Sequence, residues 1–382
     1  MHATARADSS TSLARFRKQI AAMVNASLTT QFRPIDARSA WKSSQYTGNK
    51  DWLVTLKQQH LDELRAAVTL HKNVSEAQLH ELRTSDFPLP TLGPVLHEVR
   101  DETVQGRGFA VVQGLPTRDY SPRDLIVAYW AVANYLGNVQ VTNKHGHLVG
   151  HVKNHGRDPN HPQTRLYSTN AAQPYHCDRG ADIIGLCCVH QAKSGGLSSW
   201  ASSSAVYNEL LQHRPDIIQT LSEPFYTDRK GEIPEGKKGY YQMPVVHAHD
   251  GLVTINYGGD FIQSAQRNFP DVPRLTPQQV EAMQLLEQTA ARDDFRMDYD
   301  LQPGDMQFIN NHTILHARGA FEDWEDEKDG GKRHLLRTWI SPPNGRPLPA
   351  VFADQWASME PGNRGGIRVP GATPHISVAA DK

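Results

Sequence analysis

Residues 174–190 read PYHCDRGADIIGLCCVH, in which a polar dyad precedes a run of strand-forming residues. Successive side chains of a β-strand point to opposite faces, so residues i and i+2 share one face. His176 and Asp178 therefore project together, and Cys177 projects the other way. An imidazole and a carboxylate on one face can supply two ligands to a metal ion. A His-x-Asp pair taken alone is more often structural, so the decision depends on the rest of the chain.

A third metal ligand has to come from another strand, and residues 304–323 supply the candidates. This stretch reads GDMQFINNHTILHARGAFED and contains His312 and His316. Two histidines and a carboxylate on one face of a metal are typical of non-heme Fe(II) oxygenases, in which the other coordination positions stay open for reactants. A loop histidine is by default a surface residue or a hydrogen-bonded one, so at most one of the two is expected to be a ligand.

Two arginines occur in the segment KRHLLRTWIS (332–341), which is predicted to be a strand. Arg333, Arg337 and Trp339 share one face of it, with the two arginines ~13 Å apart along the backbone. Burying two cations without an anion is costly, and the guanidinium fork matches a carboxylate in bidentate geometry. The pattern favours a small dicarboxylate as partner. The alternative is a solvated strand face with surface salt bridges.

Composition and charge exclude several classes of function. The 382 residues carry a formal net charge of −1, so nothing favours nucleic acid, and no stretch approaches the ~18 apolar residues that a membrane span requires. Three cysteines that include an adjacent pair fit strand residues in a reducing, cytoplasmic compartment. The basic, acid-poor N-terminus is expected to be a tail with about the first 12 residues disordered, or alternatively a mitochondrial targeting peptide.

The predicted elements favour a mainly β protein with appended helices, of class α+β. Residues 121–137 predict a helix with Ser121 as its N-cap and Gly137 as its stop, and further helices are expected from Ser204 and Thr276. Strands are expected at 107–115, 251–259, 295–310 and 333–341. The chain divides into an N-terminal elaboration (1–104), a jelly-roll core (105–345) and a C-terminal extension (346–382).

Three stretches, in this order, resemble a known family. They read LYSTNAAQPYHCDRGADIIGLCCVHQAKSGGLSSWASS (166–203), DLQPGDMQFINNHTILHARGAFED (300–323) and RHLLRTWI (333–340). Together they resemble the taurine dioxygenase (TauD/TfdA) family, whose members are Fe(II)- and 2-oxoglutarate-dependent oxygenases. The resemblance spans residues 105–345 and implies a double-stranded β-helix (jelly-roll) core.

The resemblance also implies roles for individual residues. It implies that the iron ligands are His176, Asp178 and His316, rather than His312. It implies that Arg333 and a hydroxyl at Ser198 hold the far carboxylate of 2-oxoglutarate, with Ser199 as the second candidate for the hydroxyl. Arg337 is implied to contact the cosubstrate or an anionic substrate. One departure from the family pattern is the acidic insert DWEDEKDGGK (323–332) between His316 and Arg333, which is expected to form an outward loop.

The implied reaction is oxidation of an unactivated C–H bond of a small molecule by O2, with release of succinate and CO2. Hydroxylation is the default outcome, with desaturation or cyclisation as alternatives, and the substrate is expected to carry a carboxylate or another anion. A homo-oligomer is compatible with the sequence. The competing function is a non-oxygenase jelly-roll or cupin-like metal-binding protein. The residues expected to contact substrate are Asn170, Tyr175, Arg179, Asn256, Tyr257 and Arg337.

Other polar residues are interpreted as structural. Five histidines between positions 145 and 161 fall in a segment rich in Gly, Asn and Pro, which predicts a surface loop. Asp182, Asp250 and Asp305 are interpreted as acids of turns or strand edges.

Overall fold

The computed structural model describes residues 32–325 and 331–380. The N-terminal tail, with its targeting alternative, and the centre of the acidic insert lie outside the described residues. Within the two described ranges, no helix is long and apolar enough to cross a membrane. The domain boundaries at 104 and 345 stay predictions.

The described residues form seventeen β-strands, most of them short. Their bounds are β1 Leu53–Thr55, β2 Phe109–Gln113, β3 Asn138–Gln140, β4 Gly150–Lys153, β5 Gln173–His176, β6 Ile183–His190, β7 Ser194–Gly195, β8 Ser198–Ser202, β9 Pro224–Asp228, β10 Tyr240–Pro244, β11 Val246–His249, β12 Leu252–Ile255, β13 Arg296–Tyr299, β14 Met306–Asn310, β15 Ile314–Arg318, β16 Phe321–Glu322 and β17 His334–Ser341.

Two sheets form the core. The major sheet has seven strands in the order β1-β2-β14-β6-β17-β3, with β4 also paired to β17, and the minor sheet has the order β13-β8-β15-β5. Apolar side chains of both sheets meet in one buried cluster, which includes Trp200 and Ile314 from the minor sheet and Ile309 and Trp339 from the major sheet. Two stacked, mainly antiparallel sheets are the arrangement of a jelly roll. The predicted fold, a double-stranded β-helix core with appended helices, is confirmed.

Helices cover the outer faces of both sheets. Their bounds are α1 Gln58–Leu70, α2 Leu92–Val104, α3 Pro122–Leu136, α4 Ser203–His213, α5 Pro215–Leu221, α6 Gly259–Asn268 and α7 Pro277–Ala290. One apolar cluster packs α1, α2 and α3 against the major sheet. A second cluster packs the four helices α4, α5, α6 and α7 against the minor sheet. Each sheet is therefore buried on both faces, by helices on the outer face and by the other sheet on the inner face.

Helix α3 begins and ends where the sequence predicts. The Ser121 hydroxyl accepts a hydrogen bond from the backbone N–H of Asp124 at 3.2 Å and caps the first turn. The chain leaves the helix at Gly137, whose φ is +153° and at which a Cβ would lie 2.4 Å from the carbonyl oxygen of Ser341. Only glycine combines this backbone conformation with so close an approach to a neighbouring strand.

The strands expected within 295–310 form, and they belong to different sheets: β13 pairs with β8 in the minor sheet, and β14 pairs with β2 and β6 in the major sheet. The surface loop predicted for the five histidines is wrong for His147 and His151, which are buried at 4% and 6% exposure. The reason is that the C-terminal extension returns over this segment, where Nε2 of His151 lies 2.9 Å from the carbonyl oxygen of Ser377.

Candidate metal centre and the cavities beside it

Adjacent strands bring the two candidate histidine ligands together. His176 ends β5, His316 lies in the middle of β15, and the two are direct cross-strand partners. Their ring centroids are 4.0 Å apart. Asp178 follows β5 by two residues, and its Oδ1 lies 3.6 Å from Nε2 of His176 and 3.8 Å from Nε2 of His316. One ligand atom from each of the three residues falls within 4.8 Å of the others, a spacing that fits a shared metal ion.

Hydrogen bonds orient the histidines for metal binding. Nδ1 of His176 donates to the carbonyl oxygen of Pro174 at 2.8 Å, which fixes the tautomer and leaves the Nε2 lone pair directed at the cluster. The Gln173 amide nitrogen lies 2.8 Å from that Nε2. Burial, together with the neighbouring His176, lowers the pKa of His316 to about 3. A neutral imidazole is the form that binds a metal.

Asp178 presents a single free oxygen to the histidines. Its Oδ2 accepts hydrogen bonds from the indole Nε1 of Trp339 at 2.6 Å and from Nη1 of Arg337 at 3.3 Å. Burial opposes ionisation of this carboxyl, but Arg337 and His176 outweigh it and hold its pKa well below the usual value. Asp178 is therefore an anion whose Oδ1 remains available. Two imidazole nitrogens and one carboxylate oxygen are the donor set that suits Fe(II) with open positions.

A cavity extends from the three residues toward Arg333, and Ser198 lines it as well. The Arg333 guanidinium is 6% exposed and stacks on Phe321 at 5.2 Å. Its Nη1 has no hydrogen-bond partner among the described residues, and its Nη2 makes only a long contact of 3.4 Å to the carbonyl oxygen of Gly196. Burial lowers the pKa of this group. A buried cation with an unpartnered N–H is a site prepared for an anion.

The two candidate hydroxyls lie on opposite sides of β8. Ser198 is 7% exposed, and its Oγ donates to Oε1 of Gln307 at 3.0 Å at the border of the cavity. Ser199 points away and hydrogen-bonds the carboxylate of Asp298. The alternation of the strand therefore separates Ser198 from Ser199, and only Ser198 lines the cavity that contains Arg333.

Arg318 is a buried residue of this cavity that the sequence analysis did not assign. It follows His316 by two positions on β15 and therefore shares its face, which was a usable signal. Its guanidinium donates to the carbonyl oxygens of Thr169, at 3.1 Å, and of Ala171. Burial and the neighbouring Arg333 lower its pKa to about 10. These contacts tie the chain just before β5 to the strand that carries His316.

A second cavity opens on the other side of Asp178, and Arg337 borders both cavities. Of the residues expected to contact substrate, Tyr175 and Arg179 line this second cavity as well. The other three lie elsewhere. Asn170 is exposed at the surface, and the Asn256 amide contacts Gln355 at 3.3 Å. Tyr257 does not line the cavity itself, but its hydroxyl donates to Glu287, which does.

Buried charges line the second cavity. Arg179 is 7% exposed, lies between the rings of Tyr241 and Phe261 at 5.3 and 4.9 Å, and has an Nε without a hydrogen-bond partner among the described residues. Arg165 pairs with the buried Glu232 at 3.0 Å. Neither Arg165 nor Glu232 stood out in the sequence, because each lies in a loop without periodicity and is buried only by tertiary packing.

The chain is similar to known proteins over most of its length. The family model described as taurine catabolism dioxygenase TauD, TfdA family matches residues 70–339. FR-33289 synthase of Streptomyces rubellomurinus (strain ATCC 31215) is 31% identical over 329 residues, which are 84% of this chain and 94% of that protein. Taurine hydroxylase-like protein SAT17 of Stachybotrys chartarum (strain CBS 109288 / IBT 7711) is 31% identical over 312 residues, 78% of this chain and 77% of that protein.

Solved structures share the fold at lower identity. Asparagine oxygenase in complex with Fe(II), 2S,3S-3-hydroxyasparagine and succinate superposes with a TM-score of 0.56 at 18% identity, over 76% of this chain and 93% of that chain. Non-heme iron oxygenase OrfP in complex with Fe and alpha-ketoglutaric acid gives a TM-score of 0.52 at 16% identity, over 75% and 93% of the two chains. The chain belongs to the TauD/TfdA dioxygenase family and is an oxidoreductase that uses Fe(II), 2-oxoglutarate and O2.

Proposed function

We propose that His176, Asp178 and His316 hold the Fe(II), and that the cavity ending at Arg333 binds 2-oxoglutarate. The observation that carries this proposal is a shared cavity, with three converging ligand atoms at one end and a buried, unpartnered guanidinium nitrogen at the other. Arg333 and Ser198 hold the far carboxylate of the cosubstrate. Bound Fe(II) and 2-oxoglutarate together activate O2 to oxidise a C–H bond, with release of succinate and CO2.

The protein's own residues set the geometry of the centre. Trp339 and Arg337 hold one oxygen of Asp178, so that the carboxylate binds metal through the other oxygen alone. The Tyr167 ring, 4.5 Å from the Arg337 guanidinium, covers that cation from the cavity side. Arg337 is thus, in this proposal, the partner of an iron ligand and lies between cosubstrate and substrate. The positive charge of Arg337 keeps the Asp178 carboxylate ionised in a site that excludes water.

The substrate we propose is a small molecule with a carboxylate or another anionic group, and its C–H bond is hydroxylated. Support comes from the buried Arg179 in the second cavity, whose Nη1 donates to the carbonyl oxygen of Asp228 but whose Nε has no hydrogen-bond partner among the described residues. Asparagine oxygenase and OrfP are described with hydroxyasparagine and hydroxyarginine, which carry a carboxylate. Three buried free cysteines fit a reducing compartment, so we place the reaction in the cytoplasm.

The alternative that the sequence left open, a cupin-like metal protein that is not an oxygenase, disagrees with membership of the TauD/TfdA family. Such a protein would need the three metal ligands but no anion site beside them. The burial of both Arg333 and Ser198 in the same cavity favours the oxygenase, because an unpaired buried cation is costly unless a ligand compensates it.

The metal and cosubstrate assignments are tested by adding Fe(II) and 2-oxoglutarate without oxygen and recording the visible spectrum. We expect a weak metal-to-ligand charge-transfer band in the native protein and its loss in His176→Ala and Asp178→Ala. His247→Ala is the matched control, because His247 is equally buried and contacts none of the three residues. A band that persists unchanged in both ligand variants would contradict the assignment.

The substrate class is tested by measuring succinate formation in a screen of amino acids, sulfonates and aryloxy acids, together with uncharged alcohols and amides of similar size. We expect turnover only with anionic compounds and a raised KM for the active compound in Arg179→Gln. Turnover of an uncharged compound with an unchanged KM in that variant would refute the proposed anion contact. Light scattering on the purified protein decides whether it forms a homo-oligomer.

A further inference from the structure

The loop from Asp178 to Asp182 joins β5 to β6 and carries two residues of the site. Asp178 faces the metal cluster, and Arg179 lines the second cavity. The loop lies outside the strands, so no ladder of backbone hydrogen bonds fixes it. Its buried N–H and C=O groups need partners from elsewhere in the molecule. Those partners determine where both side chains point.

One set of partners comes from the C-terminal extension. The indole Nε1 of Trp356 donates to the carbonyl oxygen of Arg179 at 2.9 Å, and the Gln355 amide donates to the same oxygen. The N–H of Gly366 donates to the carbonyl oxygen of Gly180 at 2.8 Å. Residues 355–366, named here the C-terminal strap, therefore contact consecutive residues of the loop.

The strongest contact of the strap is an ion pair between Arg364 and Asp182. Nε and Nη2 of Arg364 donate to both carboxylate oxygens at 2.8 to 3.1 Å, and the two side chains are 1% and 4% exposed. Nε2 of His312 lies 2.8 Å from the same carboxylate. Asp182, interpreted from the sequence as an acid of a turn or strand edge, directly precedes β6 and is buried in this ion pair. A bidentate, fully buried pair has one geometry, and removing one partner leaves a buried charge without compensation.

Packing connects this ion pair to the metal centre. Gly180 lies against Trp339, so closely that a Cβ would sit 2.7 Å from Cζ3 of the indole, and that indole donates to Oδ2 of Asp178. On the opposite side, the Asn311 amide accepts from the N–H of Asp178 at 2.8 Å and donates to its carbonyl oxygen at 2.6 Å. A shift of the loop would therefore move Asp178 relative to its indole partner and to both histidines.

We propose that the C-terminal strap positions the loop that carries Asp178 and Arg179, with Arg364 as the residue that anchors the strap to the loop. The strap lies beyond residue 339, where the match to the family model ends. The inference rests on the proposed function only in taking Asp178 as a metal ligand. Metal affinity and the orientation of the substrate cavity then depend on a segment outside the catalytic core.

The test measures Co²⁺ binding to the full-length protein by its visible absorption, without cosubstrate or turnover. Residues that orient a metal ligand typically contribute 10- to 100-fold to affinity, and we expect Arg364→Met to raise the Co²⁺ Kd about tenfold. The matched control is Arg107→Met, because Arg107 is also a buried arginine with two carboxylate partners, Asp51 and Glu102, but it contacts no residue of the site. We expect both variants to lower the Tm and only Arg364→Met to weaken Co²⁺ binding.

Arg364→Lys is the second variant and keeps the charge that Asp182 requires, so the protein folds even if the methionine variant does not. Lysine cannot form the bidentate contact with Asp182. We therefore expect Arg364→Lys to lose less Co²⁺ affinity than Arg364→Met and to show a visible Co²⁺ spectrum different from that of the native protein. A Co²⁺ Kd and spectrum equal to those of the native protein in Arg364→Lys, and in Arg364→Met where it folds, would overturn the inference. Absence of a charge-transfer band in the native protein would count against the proposed function and leave this comparison intact.

Discussion

Replacing Arg333 with methionine removes a buried cation and keeps a side chain of similar length. Among the residues that the structure describes, this guanidinium has no partner for Nη1 and makes one long hydrogen bond, to Gly196. Its main hydrogen-bonding partner is therefore expected to be the carboxylate of 2-oxoglutarate. Hydrogen bonds to charged groups contribute about 1.5–3 kcal/mol each. Two such bonds at the lower value give about 3 kcal/mol, or about a hundredfold in Kd.

Although Arg333→Met should weaken 2-oxoglutarate binding, it should not lower the stability of the ligand-free protein. An arginine that is 6% exposed without an anion carries an uncompensated desolvation penalty. Methionine at this position removes that penalty, so the Tm of Arg333→Met without 2-oxoglutarate is expected to equal or exceed that of the native protein. The native protein gains stability when 2-oxoglutarate and Fe(II) are added, by ligand linkage, and the variant should gain much less.

The assay is an anaerobic titration of the Fe(II) protein with 2-oxoglutarate, followed by the charge-transfer band, with a thermal melt of each sample. Arg318→Met is the matched control. Arg318 stacks on the same ring of Phe321, at 4.8 Å, but its guanidinium already donates to Thr169 and Ala171. We expect this control to lower the Tm and to change the 2-oxoglutarate Kd by less than Arg333→Met does. A Kd for Arg333→Met within about threefold of native, well below the ~100-fold expected, would refute the reasoning.

Three further outcomes are expected. Trp339→Phe removes the indole donor to Asp178 and should raise the Fe(II) Kd about tenfold in an anaerobic titration; an unchanged Kd would show that this hydrogen bond does not position the ligand. Ser198→Ala should weaken 2-oxoglutarate binding by about 1 kcal/mol, whereas Ser199→Ala should leave the titration unchanged, and equal effects would contradict the assignment. Burial lowers the pKa of His247 from its usual 6.5 to about 4. Between these two pH values the unfolded state binds a proton that the folded state does not. The free energy of unfolding therefore falls as the pH drops from about 6.5 to about 4, by at most about 1.4 kcal/mol per pH unit. Urea unfolding at several pH values should show a weaker dependence of the unfolding free energy on pH in His247→Gln than in the native protein. The same dependence in both proteins would contradict the lowered pKa of His247.

Much of the site was predictable because it depends on short-range periodicity. The period of two along a strand places Arg318 beside His316 and Trp339 beside Arg337. It also predicted that His176 and Asp178 project together, and the two do lie close, although Asp178 is in the loop after β5 and is held there by Asn311. The choice of His316 over His312 did not follow from periodicity, since both are buried histidines close to a carboxylate. It required the resemblance to the family, and in the structure the cross-strand pairing of β5 with β15 is consistent with that choice.

The sequence alone determined the helix 122–136, through its cap and its apolar stripe, and the existence of a β-rich core with a His-x-Asp dyad at its edge. The tertiary structure alone decided which charges are buried and with which partner. Asp182 and Arg364 are 182 positions apart and carry no local signal, yet they form a buried bidentate pair. Arg165 and Glu232 likewise meet only when two loops fold over the second cavity. Local propensity acts over a few residues, whereas the pairing of buried charges is imposed by desolvation once distant segments pack together.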